Sequence, residues 1–131
     1  MQLLIYAASS NSIARDLRKR IQSIGLETWA GTTFCTSLAA LDKQLRKPLG
    51  PSSIGIMIPS DDDELADLIG MRHLLRDMRV ILILPPGARP DMGHTLAHML
   101  RPRFITRTDE NLDEVTAVLR KMMDAACAAA L

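Results

Sequence analysis

The fold is decided by residues 54–64, which read IGIMIPSDDDE. A short apolar run that stops at a proline predicts a strand buried on both faces, and such strands belong to parallel sheets covered by helices. Beyond the proline, Asp61 and Glu64 have the spacing of a helix capping box. The stretch therefore predicts a buried strand that leads directly into a helix. In sheets of this kind ligands gather where the carboxyl ends of the strands meet, so residues just after Ile58 should show function.

The rest of the chain repeats this alternation of strand and helix. Further apolar or alternating runs predict four more strands, and segments with helical spacing of apolar residues follow each of the five strands. The predicted strands cover residues 3–7, 26–30, 53–58, 78–84 and 103–107, with helices over residues 13–24, 38–45, 61–76, 90–100 and 111–126. This pattern predicts a doubly wound α/β fold, with a five-stranded parallel sheet of order 2-1-3-4-5 and helices on both faces.

Composition narrows the class of protein. The chain has 131 residues, of which 47% are hydrophobic, and this suits one domain over residues 1–131. Sixteen Lys and Arg against 15 Asp and Glu give a net charge of +1, which does not favour binding to nucleic acid or to a membrane. Cys35 and Cys127 are far apart and form no ligand cluster, so we expect free thiols, a cytoplasmic location, and neither metal nor cofactor.

One local stretch resembles a known family. Residues 103–108 read RFITRT, which looks like the fifth strand of the receiver domain of bacterial two-component response regulators. In receivers an aromatic residue and a threonine precede a Lys-Pro pair. Phe104 falls at the aromatic switch position and Arg107 at the invariant lysine, whereas Thr108 replaces the proline. The order and spacing of the elements extend this resemblance over essentially the whole chain, with the flavodoxin-like fold that it implies.

The other signature positions of the receiver family are changed. Ala7 and Ala8 stand where the family has two acids that hold Mg²⁺, and Ile58 with Pro59 where it has the phosphoryl-accepting aspartate. Pro85 stands where the family's fourth strand ends in a Thr or Ser that responds to the phosphate. Phosphoryl transfer depends on charge placed around the transferred group, so these changes together should abolish it. The resemblance thus implies a non-catalytic, receiver-like signalling module that acts by protein contact without aspartate phosphorylation.

The aspartates at residues 61–63 offer two interpretations. One of them could replace the missing acceptor or bind a metal ion, or they could cap the third helix and complement its dipole. The chemical role would require Pro59 inside a central strand, where it removes a hydrogen bond of the sheet. We therefore favour helix capping.

An alternative function rests on the loop after the first strand. This loop resembles the phosphate loop of flavodoxins, in which hydroxyls and backbone N–H groups at the start of a helix hold an anion. It lacks the usual glycine, and only Tyr6 and Trp29 are at hand to stack on a flavin ring. The alternative is a small-ligand, anion or nucleotide-binding domain that uses Ser9, Ser10, Asn11 and Ser12.

Two surfaces are candidates for a protein partner. The first helix has a basic face, and methionines recur on the last two helices, where they favour adaptable contacts. In receivers the last two helices commonly form dimers, so the resemblance implies a signalling partner or a homodimer through them. The candidate residues are Arg15, Arg18 and Lys19 on the first helix, and Met92, Met99, Leu119 and Met122 on the last two.

Overall fold

The structure is a computed structural model of the chain. It describes residues 3–7, 15–17, 19–20, 32–47, 53–59, 61–76, 78–84, 99–107 and 112–130.

Five parallel strands form one sheet. They are β1 (Leu3–Ala7), β2 (Thr32–Cys35), β3 (Ile54–Ile58), β4 (Arg79–Leu84) and β5 (Phe104–Arg107). The strand order is β2-β1-β3-β4-β5, and every neighbouring pair runs parallel. The predicted doubly wound order is confirmed, and it is that of a flavodoxin-like α/β fold.

Helices follow the strands as predicted, with one difference. The helices are α1 (Leu38–Leu45), α2 (Asp62–Gly70), α3 (Arg72–Leu75) and α4 (Leu112–Ala130), and residues 15–17 and 19–20 are also helical. The third predicted helix is divided at Met71, whose backbone N–H donates to the Leu68 carbonyl in a tight turn. Most of the predicted helix over residues 90–100 lies outside the described residues.

The position of β2 corrects the sequence prediction. We predicted residues 26–30, which lie outside the described residues, whereas the second strand is Thr32–Cys35. Burial on both faces explains the choice, since Phe34 packs against one core and Cys35 is buried in the other. Ser37 caps α1, because its side-chain Oγ accepts from the Ala40 N–H at 3.2 Å.

Two apolar cores cover the two faces of the sheet. Successive side chains of a strand point to opposite faces, so each buried strand contributes to both cores. The face under α1, α2 and α3 includes Leu4, Tyr6, Met57, Val80 and Leu82 with Leu41, Leu65, Leu68 and Leu75 from the helices. The face under α4 includes Leu3, Ile5, Ile56, Ile58 and Ile81 with Leu17, Val115 and Leu119.

Candidate functional site

The carboxyl ends of the two central strands are apolar and buried. Ala7 and Ile58 are register neighbours at the ends of β1 and β3, and they are 5% and 0% exposed. Pro59, the next residue, is also buried. None of these three side chains can bind a cation or accept a phosphoryl group. Ala8 and Pro85, the other two predicted positions, lie outside the described residues.

Asp61 has the capping role that the sequence favoured. It is the N-cap of α2, and its Oδ1 accepts from the backbone N–H of Glu64 at 2.8 Å. This bond satisfies one of the backbone donors that a helix start leaves free, and the carboxylate complements the helix dipole. Within the described ranges there is no group of three or more His, Cys, Asp or Glu side chains that could hold a metal ion.

Glu64 makes a contact that the sequence did not predict. The hydroxyl of Tyr6 donates to Glu64 Oε1 at 2.5 Å, joining residues 58 positions apart in the chain. Tyr6 is 1% exposed and lies on the sheet face that α2 covers. Because β3 lies beside β1, the first turn of α2 is brought directly over the end of β1. The phenol and the carboxylate thus meet at the carboxyl edge of the sheet.

The surroundings of Tyr6 keep its hydroxyl protonated. Burial raises the pKa of Tyr6 well above its ordinary value of 10.0, and the hydrogen bond to Glu64 with the negative charges of Glu64, Asp67 and Asp61 raises it further. The phenol is therefore a hydrogen-bond donor at any physiological pH. Its ring is buried, so Tyr6 is not available to stack on a flavin ring. The loop of Ser9, Ser10, Asn11 and Ser12 lies outside the described residues.

The residues of β5 differ in how deeply they are buried. Phe104, at the position of the aromatic switch, is partly buried and packs against the core under α4. Thr106 is 3% exposed and lies beside Ile83 in the sheet register. Arg107 pairs with Leu84 in the same register, although its side chain is outside the described residues.

The predicted partner surfaces are only partly exposed. Arg15 and Lys19 are exposed, and Met99 is 46% exposed. Leu119 must be removed from the predicted surface, because it is fully buried among the residues under α4. Met122 packs partly against the same core. Arg18 and Met92 lie outside the described residues.

An ion pair connects the two predicted surfaces. Arg20, on the basic helical segment, contacts the carboxylate of Asp113 in the first turn of α4. Their side chains are 40% and 68% exposed, so the pair contributes at most about 1 kcal/mol. It nevertheless places the basic segment next to the start of α4, and the two candidate surfaces become neighbours.

The opposite, amino edge of the sheet contains a cleft that sequence reasoning missed. Its volume is about 600 Å³, and residues from α2, α3 and the segments just before β4 and β5 line it. Three arginines and a histidine stand beside apolar side chains; the lining residues are Gly70, Arg72, His73, Leu75, Arg76, Met78, Met99, Leu100 and Arg101. The available signal was the recurrence of arginine in the segments before β4 and β5.

The other face of the same edge is basic as well. A smaller cavity of about 280 Å³ is lined by Arg79, Arg103, Lys121 and Met122. Arg79 begins β4, and Arg103 immediately precedes β5. Positive charge therefore lies at the amino edge of the sheet on both faces.

Comparison with known proteins adds no further assignment. No protein-family model matches the chain, and no match was found among curated proteins or solved structures. In the part of the chain that the structure describes, every helix is too short or too polar to cross a membrane.

Proposed function

We propose that this chain is a receiver-like regulatory module that acts by protein contact and is not phosphorylated on aspartate. The observation that carries the proposal is the end of the central strands, where Ala7 and Ile58 lie side by side without a carboxylate. The flavodoxin-like strand order supplies the scaffold that receivers use. Since fold alone does not determine function, the chemistry of the strand ends is what decides against phosphorylation.

Two nearby carboxylates, Asp61 and Glu64, already make structural contacts. Glu64 accepts from the buried Tyr6 hydroxyl, and Asp61 caps α2. Aspartyl phosphorylation would need a carboxylate free to attack and further acids to hold Mg²⁺ near the transferred group. Neither Asp61 nor Glu64 meets these needs without breaking a contact that stabilises the fold.

The contact surface in this proposal is centred on the basic helical segment and the start of α4. Arg15 and Lys19 are exposed on the segment, and the Arg20–Asp113 pair joins it to α4. Exposed arginine and lysine steer association with an acidic surface and determine its specificity. The partner would be a signalling protein with an acidic face, or a second copy that presents its acidic side.

Phosphodonors test the first part of the proposal. The protein is incubated with Mg²⁺ and either acetyl phosphate or beryllofluoride, and intact mass and sedimentation velocity are measured. We expect neither to change, whereas an ordinary receiver treated in parallel gains one phosphoryl group. A phosphorylated product of this chain would refute the proposal.

Charge reversal tests the second part. Arg15→Glu with Lys19→Glu should abolish binding to a purified partner or self-association at high concentration, because it removes the steering charge. A control pair, Lys43→Glu with Lys47→Glu, changes the net charge equally at exposed positions in and just after α1. Equal losses in both pairs would show a general charge effect and not a contact surface.

A further inference from the structure

We infer that the cleft at the amino edge of the sheet binds a small organic molecule that carries two or more phosphoryl groups. The inference is independent of the receiver-like function, since the cleft lies at the edge opposite the carboxyl ends of β1 and β3. Its support comes from charge, shape and backbone conformation.

Three arginines provide the charge. Arg72, Arg76 and Arg101 line the same cleft and are exposed at its opening. No carboxylate is among the described residues that line it, and no ion pair with a described residue is seen for these three. A guanidinium group presents a planar set of N–H donors that matches phosphate oxygens in pairs. Three permanent positive charges in one opening suit a ligand with several negative charges.

One of the arginines is held in position by the fold. Arg72 Nη1 donates to the carbonyl of Ile69 at 3.2 Å, near the end of α2. A guanidinium has five N–H donors, so this bond leaves others for a ligand. Holding the side chain in advance lowers the entropy that binding must overcome.

Apolar side chains form the floor of the cleft. Leu75, Met78 and Leu100 are 2%, 9% and 5% exposed, and Met99 beside them is 46% exposed. Methionine adapts to planar or irregular ligands, and its sulfur makes favourable contacts with aromatic rings. A volume of about 600 Å³ lies within the range of small-molecule sites. This combination favours an anion attached to an apolar or aromatic body, such as a nucleoside polyphosphate.

The backbone at Arg101 supports a binding role. Its φ is +51°, in the left-handed region where a residue with a side chain is uncommon. Glycine would adopt this conformation more readily. Arginine is therefore present at a local cost to stability, and strained residues of this kind cluster at ligand sites.

Calorimetric titration of the full chain tests the inference. ATP, pyrophosphate, adenosine and a polyglutamate peptide are the probes, at low and at physiological ionic strength. We expect ATP to bind more tightly than pyrophosphate, because only ATP uses both the arginines and the floor, and adenosine and the peptide to bind far more weakly. Binding should weaken as salt is added.

Two double variants that remove the same amount of charge test whether ATP binds in the cleft. Arg76→Gln with Arg101→Gly removes two lining cations, and ATP affinity should fall by about a hundredfold, as for the loss of two charge-assisted hydrogen bonds. Lys47→Gln with Arg120→Gln removes the same charge at exposed positions outside the cleft and should change affinity by less than about twofold. Thermal unfolding of each variant establishes that it is folded.

Each contrary result overturns the inference. These are the absence of ATP binding, equal losses in the two variants, pyrophosphate affinity equal to that of ATP, or peptide binding in place of ATP. The readout is ligand affinity, whereas the phosphodonor experiment reads mass and association. Failure of the ligand-binding inference is therefore distinguishable from failure of the proposed receiver-like function.

Discussion

The two edges of the sheet differ in almost every property that matters for binding. At the carboxyl edge, the described ends of β1 and β3 are apolar and buried, and Asp61 and Glu64 are engaged in structural contacts. At the amino edge, arginines surround a cleft of about 600 Å³. Parallel α/β sheets ordinarily bind ligands at their carboxyl edge. In this chain the cleft lined by three arginines lies at the amino edge instead.

The difference teaches that the residues that stabilise the sheet do not determine which of its edges can bind a ligand. A doubly wound sheet is held together by its two apolar cores, and these cores do not require acids at the strand ends. Alanine, isoleucine and proline at the strand ends bury no charge and so carry none of its desolvation cost. The following predictions test whether the carboxyl edge is structural and the amino edge free for function, from the largest expected effect to the smallest.

Placing an acid at the carboxyl edge should have the largest effect. Ile58 is fully buried, so Ile58→Asp places a carboxylate among apolar side chains and removes their packing. We expect the free energy of unfolding to fall by more than about 4 kcal/mol, measured by urea denaturation. Ile58→Val, the control, should cost about 1 kcal/mol. A stable Ile58→Asp protein that binds Mg²⁺ would show that this edge still accepts receiver chemistry.

Removing the hydroxyl of Tyr6 tests whether its contact with Glu64 is structural. Tyr6→Phe should lower the free energy of unfolding by about 1 to 2 kcal/mol, because a buried hydrogen bond to a charged acceptor is lost. Glu64→Gln keeps an acceptor and should cost less. Urea denaturation near neutral pH gives both values, and equal losses would contradict this interpretation.

The same pair predicts a dependence on pH. The pKa of Tyr6 is raised in the folded state, so the stabilisation is complete below the unfolded pKa of about 10 and is lost as pH rises beyond it. Stability of the natural chain should therefore fall above about pH 10 more steeply than that of Tyr6→Phe. Tyr6 is the single tyrosine of the chain, so phenolate absorbance reports its ionisation directly. Ionisation in the folded protein with an ordinary pKa would refute the prediction.

Removing the cap of α2 should have a smaller effect. Asp61→Ala leaves the Glu64 N–H without its side-chain acceptor and should lower the free energy of unfolding by about 1 kcal/mol. Asp63→Ala, at an exposed helical position, is the control and should change stability by less than about 0.5 kcal/mol. Chemical denaturation measures both. If Asp61→Ala instead left stability unchanged, Asp61 would be free for a chemical role.

The sequence predicted the positions of the fully buried strands correctly. It failed for the edge strand, whose position depends on contacts with distant residues. The runs over residues 54–58 and 80–84 contain no polar side chain, so the positions of β3 and β4 follow from the local sequence alone. β2 is short and lies at the edge of the sheet, and a neighbouring alternating segment competed with it in the sequence pattern. The prediction therefore failed there, where burial of only two side chains, Phe34 and Cys35, distinguishes the strand.

The predictions about functional residues divide in the same way, between contacts set by local spacing and contacts between distant residues. The capping role of Asp61 follows from a spacing of three residues and was predicted. The partner of Tyr6 is 58 residues away and depends on which strands are neighbours. The amino-edge cleft is built by segments on either side of β4, and local patterns do not show that their arginines line one opening. Leu119 was assigned to a candidate partner surface on the last helix, although its spacing from Val115 places both in the core.

The smallest expected effect separates function from stability at the amino edge. Arg101 has a φ of +51°, so Arg101→Gly relieves an unfavourable conformation while it makes the unfolded chain more flexible. We expect these effects to leave the free energy of unfolding unchanged or higher by about 0.5 kcal/mol. Arg103→Gly, two residues on and without a positive φ, gains no such relief and should cost about 0.5 to 1 kcal/mol. Urea denaturation compares the two variants. A loss at position 101 as large as that at 103 would mean that Arg101 stabilises the fold through its side chain, and the contrast between a structural carboxyl edge and an amino edge free for binding would no longer hold there.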